Sequence, residues 1–121
     1  MSKRILVVED QEDNRQILRD LLGNAGYELI EAVDGEQALA AYAKQRPDLI
    51  LMDIQLPVLD GYETTRRIRT DPESKGIPII AVTSYALAGD EAKALAAGCN
   101  GYITKPYSPR ALLAKVREYL A

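Results

Sequence analysis

The sequence predicts an α/β protein built on one doubly wound parallel sheet. Five short apolar runs alternate with five helical patterns along the 121 residues, which favours right-handed crossovers and a sheet covered on both faces. The apolar runs are nearly continuous, as in strands buried on both sides. Together these observations indicate a flavodoxin-like (βα)5 domain over residues 1–121, with strand order 2-1-3-4-5. In that order the first and third strands are neighbours.

The predicted strands cover residues 4–9, 27–32, 48–54, 78–83 and 101–104. The first helix is predicted from an apolar face and a terminating glycine, Gly26. That face consists of Ile17, Leu18, Leu21, Leu22 and Ala25. The second and third helices begin at Asp34 and Asp60, each with the signature of a capping box. The second is expected to stop before Pro47.

After the third helix, residues 70–76 are predicted to form a loop because of their polar composition. The fourth helix is predicted over Leu87 to Ala97 and the fifth from Ser108, as the N-cap, followed by Pro109. The core stripe of the fifth helix is Leu112, Leu113, Val116 and Leu120. We find no linker or repeat that would divide the chain.

Composition excludes several functions. A net charge of −3 argues against a nucleic-acid-binding domain, which is usually basic. No apolar run is long enough to span a membrane, and no signal-peptide pattern precedes the first strand. The single cysteine, Cys99, cannot form an internal disulfide, which indicates a cytoplasmic protein. Because the chain has no histidine, a catalytic Cys–His pair is excluded.

Carboxylates stand at the ends of the two neighbouring strands. Asp53 lies in the apolar segment from Leu49 to Pro57, and Glu9 with Asp10 follows the first strand. Parallel neighbours bring these groups to one sheet edge, where such folds bind ligands. Three adjacent carboxylates repel one another unless a cation neutralises them, and hard oxygen ligands suit Mg²⁺. Taken singly, Asp53 is equally well a turn-starting residue. Without Asp53, a solvated loop start would be the favoured interpretation of Glu9-Asp10.

Two more polar residues stand at the ends of the fourth and fifth strands. Thr83 follows the fourth strand and Lys105 the fifth, on the same edge as Asp53. A hydroxyl and an ammonium facing a metal-bound carboxylate form a site for a dianion such as a phosphoryl group. Asp53 would then be the nucleophile that forms an acyl phosphate. Alone, Thr83 is better explained as an ordinary strand residue and Lys105 as a solvated charge. The prediction depends on finding all of these polar groups together at one edge of the sheet.

These motifs resemble the receiver domain of two-component response regulators along the whole chain. The resembling segments are Glu9-Asp10, Met52 to Pro57, Asp60-Gly61, Thr83-Ser84 and Lys105-Pro106. The resemblance implies that Asp53 accepts phosphate from a phosphohistidine on a sensor histidine kinase or histidine phosphotransfer protein. It implies Mg²⁺ bound by Asp10, Asp53 and the Gln55 backbone carbonyl, with Glu9 acting through water. Lys105 and Thr83 would contact the phosphoryl group, and Lys105-Pro106 would form a cis-proline turn.

The resemblance also implies two protein-binding surfaces. Thr83 and Tyr102 would be switch residues, and the fourth helix, fifth strand and fifth helix would bind a downstream protein or a second phosphorylated copy. Candidates on that surface are Tyr102, Tyr107, Arg110 and Lys115. The kinase would dock on the first helix and the loop after the fifth strand, through Asn14, Arg15, Leu18, Leu22, Pro106 and Tyr107. For Leu18 and Leu22 the default interpretation is a place in the core, because they belong to an apolar stripe at helical spacing.

Two positions are predicted to set the lifetime of the phosphoryl group. Gln55 and Tyr85 lie two residues after Asp53 and Thr83, where receivers have the path of the hydrolytic water. We expect Tyr85 to screen the acyl phosphate and so slow autodephosphorylation, and Gln55 could oppose this by orienting water.

Other functional classes stay open at this point. The chain could be a phosphorylation-independent interaction module, a phosphorelay shuttle, or a receiver from a larger hybrid kinase or transcription regulator. A Mg²⁺-dependent phosphohydrolase is disfavoured because Gln55 stands where those enzymes carry a second aspartate. We therefore expect a phosphoacceptor regulator rather than an enzyme. A flavin binder is disfavoured because the loop from Asp10 to Asn14 is acidic and lacks the glycines of a phosphate cradle.

Overall fold

The computed structural model describes residues 2–84 and 90–120, and these residues contain one parallel sheet of five strands. The strands are β1 (Arg4–Val8), β2 (Glu28–Ala32), β3 (Leu49–Asp53), β4 (Ile79–Thr83) and β5 (Gly101–Thr104). Their order is β2-β1-β3-β4-β5, which confirms the predicted (βα)5 topology.

The register of the sheet decides where the strands end relative to one another. Val8 pairs with Met52, so Glu9, which directly follows β1, lies beside Asp53, the last residue of β3. Asp53 pairs in turn with Val82, which brings Thr83 just beyond it on β4. The polar residues that end these strands therefore share one edge, as the alternation of apolar runs predicted.

Five α-helices cover the two faces of the sheet within the described residues. They are α1 (Glu12–Asn24), α2 (Gly35–Gln45), α3 (Gly61–Arg69), α4 (Asp90–Ala97) and α5 (Pro109–Leu120). Helices α1 and α5 pack on one face through Leu18, Leu22, Leu112 and Val116. Helices α2, α3 and α4 pack on the other face around a second core cluster. The three inner strands β1, β3 and β4 are buried between two layers, which explains their nearly unbroken apolar sequences, whereas the edge strands β2 and β5 are only partly buried.

Helix ends follow the predicted capping residues. The Asp34 carboxylate accepts a hydrogen bond from the Gln37 backbone N–H at 2.8 Å, and Asp60 accepts one from Glu63 at 2.8 Å. Ser108 Oγ accepts a bond from the Ala111 N–H at 3.0 Å. These side chains satisfy N–H groups that the first turn of a helix leaves unpaired.

The structure corrects two details. Ile17, predicted on the core face of α1, is 53% exposed. It lies one residue, or about 100°, from the stripe of Leu18 and Leu22 that faces the sheet. The segment predicted as a loop at 70–76 contains a 3₁₀ helix, Pro72–Gly76, whose N-cap is Asp71. The predicted start of the fourth helix at Leu87 lies outside the described residues. Among the described residues, none of the helices combines the length and apolar character needed to cross a bilayer.

Candidate functional site

Three carboxylates meet at the carboxyl edge of the sheet. One carboxylate oxygen from each of Glu9, Asp10 and Asp53 lies within 4.8 Å of the others. Glu9 is 2% exposed and Asp53 4% exposed, while Asp10 is half-buried. Because buried carboxylates are costly unless they are paired or bind a cation, the cluster needs positive charge to be stable.

Lys105 supplies part of that charge from the end of β5. Its Nζ donates to Glu9 Oε1 at 2.6 Å and to Asp53 Oδ2 at 3.1 Å. Burial lowers the pKa of Lys105, but the hydrogen bond to Glu9 and the negative charge of Asp53 outweigh that effect, so its pKa is raised above the ordinary value. One ammonium facing three carboxylates leaves the site with a net negative charge.

Backbone N–H groups fix the orientation of the two buried carboxylates. The Gln55 N–H donates to Asp53 Oδ1 at 2.9 Å, and the Gln11 N–H donates to Glu9 Oε2 at 3.0 Å. The Gln11 side chain also donates to Asp10 Oδ2 at 3.3 Å. Gln11 was not among the predicted site residues; its position directly after Glu9-Asp10 was the only signal in the sequence.

Thr83 and Lys105 are joined through the backbone. The Lys105 N–H donates to the Thr83 carbonyl at 2.7 Å, and Thr83 is buried at the end of β4. The Lys105–Pro106 peptide bond is cis, as expected from the sequence.

A cavity of about 270 Å³ opens above these groups. Its walls include the three carboxylates, Lys105 and Gln55, and it is also lined by Gln11, Asn14 and Ser84. The donor set fits Mg²⁺, which prefers hard oxygen ligands, uses few carboxylates and keeps several waters. Of the expected ligands, Asp10, Asp53 and Glu9 are brought together, and Gln55 lies against Asp53.

The two tyrosines predicted on the responding surface lie on opposite faces of the sheet. Tyr102 packs against the core cluster beneath α2, α3 and α4, whereas Tyr107 packs against the cluster of α1 and α5. Alternation along the strands puts Thr83 on the same side as Ala81, which pairs with Tyr102. Tyr107 lines a groove beside α1, and α5 of the predicted switch surface packs on the same face, so its place on that surface stays a prediction.

The predicted kinase-docking residues separate into accessible and inaccessible groups. Leu18 and Leu22 are buried in the core, which supports the core alternative stated for them and disfavours direct contact with a kinase. The Arg15 side chain is 12% exposed and donates to the Glu9 carbonyl at 2.8 Å, which makes it a support of the β1–α1 loop. A groove of about 420 Å³ keeps Asn14, Pro106 and Tyr107 accessible beside the exposed Ile17.

Tyr107 lines this groove and is partly buried, which changes the pKa of its hydroxyl. Burial raises the pKa of the Tyr107 hydroxyl, against the opposing effect of the Lys105 charge. Tyr85, predicted to screen the site, lies outside the described residues.

Comparisons with known proteins agree with this geometry. A family model described as "Response regulator receiver domain" matches residues 5–117. The polar-differentiation response regulator DivK of Brucella anthropi is 44% identical over 120 residues, covering 99% of this chain and 98% of that protein. The Brucella ovis DivK is 43% identical over the same shares.

Solved structures agree equally well. Chemotaxis response regulator CheY4 of Vibrio cholerae superposes with a TM-score of 0.93 at 32% identity, covering 98% of this chain and 99% of that one. The receiver domain of sensor histidine kinase PA1611 from Pseudomonas aeruginosa PAO1 has a TM-score of 0.91 at 40% identity, over 99% and 98% of the two chains. That crystal structure has a magnesium ion coordinated in its active site cleft.

Proposed function

We propose, because this chain belongs to the response regulator receiver domain family, that its Asp53 carboxylate accepts a phosphoryl group from a phosphohistidine. The family acts in two-component phosphorelay signalling, and so does this chain. The observation that carries the proposal is the position of Asp53 inside a buried cluster of two further carboxylates and Lys105. Families of this kind are phosphoacceptor regulators rather than enzymes that turn over external substrates.

In the proposed reaction an Asp53 oxygen forms a bond to phosphorus as the bond between phosphorus and the histidine nitrogen breaks. The product is an acyl phosphate. Lys105 Nζ already lies 3.1 Å from Asp53 Oδ2. After transfer, its ammonium would form an ion pair with the negatively charged phosphoryl oxygens. Thr83, buried one residue beyond the partner of Asp53 on β4, would donate its hydroxyl to another phosphoryl oxygen.

Magnesium fits this site. Asp10, Asp53 and the Gln55 carbonyl would hold the ion, with Glu9 acting through water. Bound there, Mg²⁺ supplies positive charge that offsets the carboxylates and the incoming phosphoryl group. The magnesium ion in the cleft of the related PA1611 receiver supports this assignment.

The test is the intact mass of the full chain after incubation with acetyl phosphate and Mg²⁺. We expect a gain of about 80 Da, one phosphoryl group, that requires Mg²⁺ and is lost in Asp53→Asn. Asp60→Asn is a matched control because asparagine keeps the helix cap, and it should still gain the mass. A folded parent chain that binds Mg²⁺ but gains no mass, and that does not respond to beryllofluoride, would show a phosphorylation-independent module instead.

We further propose that the kinase or phosphotransfer protein docks in the groove between α1 and the turn after β5. The groove presents Asn14, Ile17, Pro106 and Tyr107 beside the phosphorylation site. Replacing the 53% exposed Ile17 by serine should slow transfer from phosphorylated histidine kinases but leave phosphorylation by acetyl phosphate unchanged. Equal slowing with both donors would indicate damage to the site rather than to docking.

The signalling surface is proposed to be α4, β5 and α5. Thr83 and Tyr102 lie on the same face of the sheet, so movement of one toward the phosphoryl group can change the space available to the other. Arg110 and Lys115 on α5 are candidate contacts for a downstream protein or a second copy of the chain.

The remaining proposals concern the lifetime of the acyl phosphate, the extent of the domain and the location of the protein. Slow autodephosphorylation is proposed because Tyr85 would screen the acyl phosphate, while Gln55 would favour hydrolysis by orienting water. A longer phosphoryl half-life in the parent than in Tyr85→Ala would support this proposal.

The family match over residues 5–117 and the sheet from Arg4 to Thr104 support one receiver domain over residues 1–121. A cytoplasmic location is proposed from the single, buried, free Cys99.

A further inference from the structure

The loop between β3 and α3 contains a strained turn. Val58 has a φ of +69° and is 76% exposed, a conformation that β-branched residues rarely adopt. The Leu59 N–H donates to the Pro57 carbonyl at 2.7 Å, two residues earlier, which closes a γ-turn of the rare hand around Val58. Such a conformation persists only where the surrounding structure holds it in place.

One constraint comes from the first residue of α2. A Cβ atom on Gly35 would lie 2.3 Å from Thr64 Oγ1, 2.7 Å from Leu59 Cβ and 2.8 Å from the Leu59 carbonyl oxygen. These distances are shorter than real Cβ contacts, so only glycine allows the start of α2 to lie against this loop. Helix α2 therefore contacts the loop directly, although its own residues lie outside the carboxylate site.

Thr64 completes the contact from the side of α3. It is fully buried, and its Oγ1 donates to the Asp60 carbonyl at 2.8 Å and lies 3.5 Å from the Leu59 carbonyl. The hydroxyl thus holds the last two residues of the loop, and Gly35 packs directly against the same hydroxyl and the Leu59 carbonyl.

Both ends of this loop meet Asp53. At its start the Gln55 N–H donates to the Asp53 carboxylate at 2.9 Å. At its end the Gly61 N–H donates to the Ile54 carbonyl at 3.0 Å, and a Cβ on Gly61 would lie 2.3 Å from the Asp53 carbonyl oxygen. Displacing Leu59 or Asp60 therefore moves backbone that contacts the phosphorylation site.

We propose that Gly35 and Thr64 are positioning residues for the divalent cation: they brace the β3–α3 loop so that the Asp53 carboxylate and Gln55 backbone hold their arrangement. The inference rests on the proposed magnesium site and adds residues that do not contact the ion. Groups that hydrogen-bond a metal ligand directly change metal affinity by about 10- to 100-fold when they are removed. Gly35 and Thr64 act on the ligands through the loop backbone, so we expect the lower end of that range. A purely structural role would change thermal stability and leave the affinity for Mg²⁺ unaltered.

The test is titration calorimetry of the full chain with Mg²⁺, beside thermal unfolding without the metal. Thr64→Val keeps the shape of the side chain and removes the hydroxyl, and it should weaken Mg²⁺ binding about 10-fold. Thr64→Ser restores the hydroxyl and should bind like the parent chain. Gly35→Ala should weaken binding at least as much as Thr64→Val. Gly23→Ala is the matched control because its Cβ meets nothing within 4 Å, and its affinity should be unchanged.

The outcomes separate this inference from the proposed function. If Thr64→Val folds, melts at a lower temperature and binds Mg²⁺ within about 2-fold of the parent, the positioning role is overturned even if Gly35→Ala fails to fold. Failure of the parent chain to bind Mg²⁺ would overturn both proposals. A parent chain that binds Mg²⁺ with the expected pattern of variants, yet is not phosphorylated, would overturn only the proposed function.

Discussion

Replacing Asp10 with asparagine should stabilise the metal-free protein and abolish its stabilisation by Mg²⁺. The side chain keeps its size and can still hydrogen-bond, so the change removes one negative charge from the cluster. The metal-free site contains three carboxylates and one ammonium. Asp10 therefore faces a net charge of −1 from Glu9, Asp53 and Lys105.

The magnitude follows from the distances in the cluster. Two unit charges 4.8 Å apart interact with about 3.5 kcal/mol at an effective dielectric constant of about 20. Asp10 is half-buried, so solvent screens part of this repulsion, and we expect a gain of about 1–2 kcal/mol in the free energy of unfolding.

The assay is urea unfolding followed by far-UV circular dichroism, first in a chelator and then with saturating Mg²⁺. A ligand that binds only the folded state adds about 2.7 kcal/mol at 100 times its Kd. The parent chain should gain stability of this order, while Asp10→Asn should gain little because it has lost a ligand. The order of stability of the two proteins should therefore reverse when the metal is added.

Asp20→Asn is the matched control. Asp20 is an exposed carboxylate of α1, and its replacement should change stability by less than about 0.5 kcal/mol with or without Mg²⁺. If Asp10→Asn were less stable than the parent in the chelator, repulsion within the cluster would not be the dominant effect. If it gained as much from Mg²⁺ as the parent does, Asp10 would not be a ligand.

Two further changes test features away from the carboxylates. Val58→Asn should raise the free energy of unfolding by about 1 kcal/mol in urea melts, because asparagine tolerates a φ of +69°; Leu95→Asn, at an exposed apolar residue of α4, should show no such gain. The hydrogen bonds from Tyr42 and then Arg46 lower the pKa of Asp71 from 3.8 to about 2. The ionised Asp71 carboxylate therefore contributes fully to stability above pH 3.8, and this contribution is lost as the pH falls toward 2. Between these pH values, the melting temperature of Asp71→Asn should decline less steeply than that of the parent chain.

The sheet and its acidic edge could be predicted because their signals are local. Continuous apolar runs identified the strands, and the carboxylates of Glu9 and Asp53 stood out because they interrupt or end such runs. The caps at Asp34 and Asp60 were equally readable, since capping depends on residues only three positions apart.

Helix faces were predicted less well. The apolar pattern of α1 includes Ile17 with Leu18 and Leu22, but a helix facing one sheet buries only a stripe. The pattern does not reveal that the edge of this stripe borders the groove toward Pro106 and Tyr107. For the same reason, the sequence left open whether Leu18 and Leu22 face the core or a kinase, and it did not identify Ile17 as the exposed residue of the face.

The sequence by itself determined the strands, the capped helices and the charged residues that follow the strands, because each depends on short-range periodicity or on the identity of a residue at a strand end. The strand order was inferred from the alternation of strands and helices, because right-handed crossovers permit few arrangements. Tertiary structure alone decided which of those groups bind each other. Lys105 reaches Glu9 across 96 residues, and Gly35 meets Leu59 and Thr64 from a different helix. Such contacts depend on how the helices pack on the twisted sheet and on the space that the missing Cβ of Gly35 leaves. A local sequence pattern does not contain these distances, because the residues that meet are far apart in the chain.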